Sequence, residues 1–117
     1  MKNVVYIFIV FFSVACKQEV VNDLDGVKSY SVKIHSTMGA EREFKINIGT
    51  ESFESLRFWL YANQKGWEKS PASYVPGIVV KYKDSQLNFI NDLAVLNNQT
   101  GQYTKEASIK DYGFLLQ

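Results

Sequence analysis

Residues Ile78 to Thr104 read IVVKYKDSQLNFINDLAVLNNQTGQYT, and this stretch decides the fold. Ile78, Val80 and Tyr82 alternate with Val79, Lys81 and Lys83. A repeat of two marks a strand, whose side chains point to opposite faces in turn. Asp84-Ser85 breaks the run with turn-forming residues, and Leu87 to Ile90 returns. Asn91-Asp92 is a second break, a turn or a bulge, before the apolar run Leu93 to Leu96. NNQTG, Asn97 to Gly101, turns again, and Gln102 to Thr104 opens a last strand. Strands joined by such short breaks pair antiparallel.

Upstream the same period recurs. Across Val27 to Ser36, Tyr30, Val32 and Ile34 point one way and Ser31, Lys33 and His35 the other. After the turn around Gly39, Phe44, Ile46 and Ile48 alternate with Glu43, Lys45 and Asn47, which predicts an antiparallel hairpin. GTESFESLRFWLYANQKGW, Gly49 to Trp67, then changes period. Phe53, Leu56, Trp59 and Leu60 share a helical face, Thr50 suits the N-cap, and Glu51 and Glu54 stand in the first turn, where the helix dipole favours acids. With Gly66 at the end, the spacing predicts a helix over Glu51 to Lys65. Gly66 to Gly77 reads as a loop holding both prolines. Lys105 to Tyr112 reads as a short helix or a final strand, with Ile109, Tyr112 and Leu115 or Leu116 inward. The expected fold is α+β: a small antiparallel sheet of four to five strands with one long helix packed across one face. It forms a single domain over residues 27–117.

The opening of the chain has another purpose. Met1-Lys2-Asn3 is followed by an apolar run from Val4 to Phe12 and then by Ser13-Val14-Ala15-Cys16. A charged start, a short apolar stretch and small residues describe a secretory signal peptide over residues 1–15. The run falls short of the roughly 17 to 25 residues that a membrane span needs. Here the sequence resembles a bacterial lipoprotein signal, whose lipobox ends in a small residue followed by an acylated cysteine. Ala15-Cys16 fits that box and Val14 is compatible with it, while Ser13 stands where the family carries Leu or another aliphatic. The resemblance covers about the first 17 residues. It implies that Cys16 is the lipid attachment site and that the membrane is a partner through that anchor. Residues 16–26 then form the lipidated cysteine and a polar tether. Lys17, where lipoproteins of the enteric type carry Asp for inner-membrane retention, implies the outer membrane, with the domain facing the periplasm or the surface. The alternative is ordinary cleavage after Ala15, leaving a soluble secreted protein with an unlipidated Cys16. Cys16 is the single cysteine of the chain, so no disulfide supports the fold.

Composition excludes several classes. The 13 Lys and Arg, Lys2 among them, oppose 12 Asp and Glu, so the chain without its signal peptide is neutral. The charges are interspersed, and no basic stripe invites nucleic acid. Zinc lacks ligands, since His35 is the only histidine and Cys16 the only thiol. NDLDG, Asn22 to Gly26, hints at a calcium loop but fails where Val21 and Val32 stand, so it reads as solvated linker. Glu41 and Glu43 share a strand face beside Arg42 and Lys45, as a charged edge does. Asn98-Gln99-Thr100 matches a glycosylation acceptor and reads here as a turn. No glycine-rich phosphate cradle is present, and no cofactor, metal or catalytic residue is expected.

Trp67 and Tyr74, in the proline loop, are the candidate binding surface, because loops carry function and large aromatics anchor interfaces. The competing reading places Trp67 as a lid on the core. The expected role is that of a non-enzymatic, lipid-anchored envelope protein that binds another protein, of an inhibitor or immunity type. One alternative is a small-molecule or glycan binder with a pocket between helix and sheet lined by Trp67, Tyr74 and Tyr82. Another is a hydrolase whose acids converge on a cleft.

Overall fold

A computed structural model describes Val21 and residues 24–117. The expected signal peptide, Cys16 and most of the expected tether lie outside the described residues.

Strand β1, Ser29–Ile34, pairs antiparallel with β2, Arg42–Asn47, with Tyr30 opposite Ile46 and Val32 opposite Phe44. Helix α1 follows over Glu51–Ala62, capped by Thr50, whose hydroxyl accepts from the Phe53 amide at 3.2 Å. A two-residue strand β3, Glu68–Lys69, comes next. Then β4 (Ile78–Tyr82), β5 (Ser85–Ile90), β6 (Leu93–Asn98) and β7 (Gly101–Glu106) run as a meander. Helix α2, Ile109–Tyr112, continues into a 3₁₀ turn over Gly113–Leu116. All pairings are antiparallel, in the order β2-β1-β4-β5-β6-β7-β3.

This overturns the expected α+β domain of a four- to five-stranded sheet under one long helix. The structure is mostly a seven-stranded antiparallel sheet, with a helix of 12 residues and a short helical segment at the carboxyl end. Two local causes account for the difference. The helix stops at Ala62 because the Asn63 side chain donates to the Trp59 carbonyl at 2.8 Å and competes with the helical ladder. The Trp67 indole N–H then takes the Asn63 carbonyl at 2.6 Å and turns the chain. Glu68–Lys69, within the stretch expected to be loop, then adds to the far edge of the sheet against Thr104 and Tyr103.

Each meander turn is two residues long: Lys83-Asp84, Asn91-Asp92 and Gln99-Thr100. The first lies one residue earlier than the sequence predicts, and Lys83 adopts φ 49° there. Ile48 and Ile109, expected inward, are exposed. Ile48 falls just beyond the end of β2, and in the last segment Tyr112 and Leu115 are buried as expected while Ile109 is not. Val21 and Leu24, within the stretch expected to be tether, are buried in the core.

The two sheet faces have different covers. On the first, Tyr30, Val32, Val80, Leu87, Phe89 and Leu96 are buried beneath Phe53, Leu56, Trp59 and Leu60 of α1. Ring contacts tie the layers: Tyr30 to Phe53 at 5.1 Å, Trp59 to Phe89 at 5.2 Å, and Tyr112 stacked on Phe89 at 4.9 Å. On the second face, Asn88, Ile90 and Val95 are also buried, and there a loop that bonds to Asn88 lies over the sheet, with buried Val79 at its margin.

Candidate functional site

The loop between β3 and β4 is fixed to the second face by two amides. Gln102 Nε2 donates to the carbonyls of Ser70 at 3.0 Å and Ala72 at 2.6 Å. Asn88, the buried polar side chain of the core, donates through Nδ2 to the Val75 carbonyl at 3.1 Å and accepts the Gly77 amide at 2.8 Å. Gly77 also accepts the His35 amide at 2.8 Å. A Cβ at Gly77 would collide with the Phe89 carbonyl and reach Met38 Cγ at 2.9 Å, so only glycine lets the loop approach this closely.

The loop covers part of this face and leaves the rest open. Where it ends, at Pro76, a surface groove of about 260 Å³ begins. Ser31 and Lys33 of β1, Glu43 of β2, Val79 and Lys81 of β4 and Gln86 of β5 line it, with His35 and Pro76 at one end. The register explains the grouping. Lys45, Ser31 and Lys81 stand opposite one another across three strands, and Glu43, Lys33 and Val79 form the adjoining row. Lys33 and Lys81 therefore line the groove with one glutamate around Val79, and Lys45 stands beside it on the same face. Among the described residues none of these four makes an ion pair within 4.0 Å; the pair at that distance is Arg57–Glu54 on α1, at 3.3 Å. The open half of the face is a cationic, hydrogen-bonding surface suited to an acidic segment.

The aromatic residues expected to form a binding surface do not gather here. Trp67 is half-buried on the first face, edge-on to Trp59 at 6.2 Å. Tyr74 is half-buried in the loop, its hydroxyl 2.7 Å from the Ser70 hydroxyl. Tyr82 is buried on the first face against Tyr30 at 5.4 Å. Each has its own neighbourhood, and the layer between helix and sheet, where the expected pocket would lie, is filled by side chains. Tyr30 shows how tightly. Burial, with Tyr82 beside it, pushes its hydroxyl up to about 12, and among the described residues that hydroxyl has no hydrogen-bond partner. Burial, with Asp92 nearby, also raises Tyr112, whose hydroxyl donates to the Asn91 carbonyl at 2.7 Å.

Sequence reasoning singled out His35 and Glu43 only to set them aside, and it missed Ser31, Lys33, Lys81 and Gln86. Their outward positions were readable; what was not readable is that β4 pairs with β1, which brings Lys81 beside Ser31. Ser31 and His35 do not form a nucleophile–base pair, since four steps of extended chain set them about 13 Å apart. Asp25 is engaged by Tyr61 and Lys83, and Asn98 accepts from Thr100 within its turn. Among the described residues no three His, Cys, Asp or Glu side chains gather to hold a metal, and no helix is long and apolar enough to cross a membrane.

Set beside models of protein families, curated proteins and solved structures, the chain matches none of them.

Proposed function

We propose that this chain is a lipoprotein of the bacterial cell envelope, tethered through Cys16, whose domain binds a protein partner without catalysing a reaction. The observation that carries the binding role is the uncovered half of the second sheet face. There Lys33 and Lys81 stand with Glu43 around Val79, with Lys45 in the adjoining row, and among the described residues none of the four is in an ion pair within 4.0 Å. Lys33 stands opposite Glu43, whereas Lys45 and Lys81 stand on either side of Ser31 with no acid opposite them in the register. An acidic surface of a partner supplies that opposition. The groove is lined mainly by charged and hydrogen-bonding side chains around Val79, whereas a small-molecule site is lined mostly by apolar and aromatic ones. The anchor rests on the resemblance of residues 1–17 to a lipoprotein signal, and on Cys16 being the only cysteine.

The test has two parts. The full chain is produced in a bacterial host beside Cys16→Ser, and both are weighed intact. Loss of residues 1–15 with gain of acyl mass, absent from the variant, supports the anchor. A photo-crosslinking amino acid is then placed at Ser31 in the cells that make the protein. One discrete protein adduct is expected, and it disappears when Lys33 and Lys81 are both changed to Glu. An adduct that persists after charge reversal, or none at all, rejects the binding surface.

A further inference from the structure

The chain enters the domain beside the carboxyl half of α1. The Val21 carbonyl accepts from Gln64 Nε2 at 3.5 Å. Asp25 is held twice: the Tyr61 hydroxyl donates to Oδ1 at 3.2 Å, and Lys83 Nζ donates to its carbonyl at 2.7 Å. The same stretch of helix carries the most exposed large apolar side chain among the described residues. Phe58 is 74% exposed, and Tyr61, one turn on, is 44% exposed. Residues three apart are neighbours on a helix surface, so the two rings form one aromatic ridge.

Five residues lead from Cys16 to Val21, and five residues span at most about 18 Å. An acyl chain on Cys16 therefore holds the membrane surface within reach of this ridge. We infer that α1 rests on the bilayer through Phe58 and Tyr61, with the phenyl ring at the headgroup–acyl boundary and the tyrosine hydroxyl at the polar level. Amphipathic aromatics favour that depth, and two exposed cations, Arg57 on α1 (paired with Glu54) and Lys65 just beyond its end, suit the phosphates beside it. The contact rests on the lipoprotein reading above and adds an orientation to it. Because α1 covers the first face of the sheet, the second face, with Lys33 and Lys81, is turned away from the membrane and toward other proteins.

The experiment uses the acylated full-chain product, reconstituted in vesicles of phosphatidylethanolamine and phosphatidylglycerol. An acylated Cys16 has no thiol, so one introduced cysteine takes one nitroxide label. Phe58→Cys and Ala62→Cys place the label on the ridge, the second leaving Phe58 intact; Lys45→Cys places it on the opposite side of the sheet. Accessibility to oxygen relative to a water-soluble nickel chelate is expected to be several-fold higher at 58 and 62 than at 45. Equal ratios at all three positions, in protein whose mass shows the acyl chains, overturn the membrane contact and leave the anchor standing. Mature protein without acyl chains overturns both.

Discussion

Along β1 and β4, Tyr30, Val32 and Val80 are sealed beneath α1, while Ser31, Lys33 and Lys81, one position along the same strands, stand in water. Farther across the sheet, both faces are covered, yet by different means. The first face is covered by apolar side chains of a helix, which seal it through area removed from water. The second is covered by a loop that two amide side chains, Asn88 and Gln102, hold in place. A face closed by a few directional bonds can be closed over half its width and left open over the rest. A face closed by a helix is closed along the helix's whole length. The difference explains why the groove lies on the second face.

Four substitutions test that contrast, and their expected effects fall in order. Phe89→Ala, beneath Trp59 and Tyr112, should cost about 3–5 kcal/mol in urea unfolding, as large-to-small changes in a filled core do. A cost below about 1 kcal/mol would break the claim that apolar area dominates the first face. Gly77→Ala should cost about 1–3 kcal/mol by overpacking, and should open residues 70–77 to proteolysis before the sheet unfolds. Loss of loop and sheet together would mean that the loop is not a separate cover.

Tyr30→Phe should act in the opposite direction. It removes a buried hydroxyl that has no partner among the described residues, and should be neutral or stabilising by up to about 1 kcal/mol. The pH dependence has a definite sign. A folded-state pKa raised from 10.0 to about 12 means that the folded protein holds this proton more tightly than the unfolded chain. The stability it contributes is fully present below pH 10 and is lost as pH rises toward 12. Unfolding midpoints of Tyr30→Phe should lack that part of the alkaline fall; an unchanged fall would assign it to other groups. The smallest effect on stability belongs to Lys81→Glu. On the open half it should shift unfolding by no more than about 0.5 kcal/mol, while weakening the crosslink from position 31. A large loss of stability there would make Lys81 a structural residue.

Much of the sheet was legible in the sequence. The alternation at Tyr30, Val32 and Ile34 and at Ile78, Val80 and Tyr82 places the first face correctly, and Thr50 marks the start of α1. The extent of the sheet was not legible. Strand β3 exists only because β7 offers it an edge, and two residues of Glu and Lys carry no periodicity. A signal for the covered second face was present in the unbroken runs IVV and LAVL, since strands apolar on both faces are covered on both. The groove was the least legible part. Its two lysines, Lys33 and Lys81, belong to segments whose pairing depends on the path of α1 and the proline loop between them.

That pairing also separates local joins from distant ones. Hairpins joined by two residues close quickly, so β4 to β7 form from local contacts, and the β1–β2 pair closes over residues 35–41. The seam between β1 and β4 closes across everything that lies between them, at the largest loop-closure cost in the sheet. Ser31 and Lys33 lie on one side of that seam, Val79 and Lys81 on the other. The groove therefore exists only where β1 and β4 are joined, and any partner that fits it reads that long-range join and ignores either strand alone.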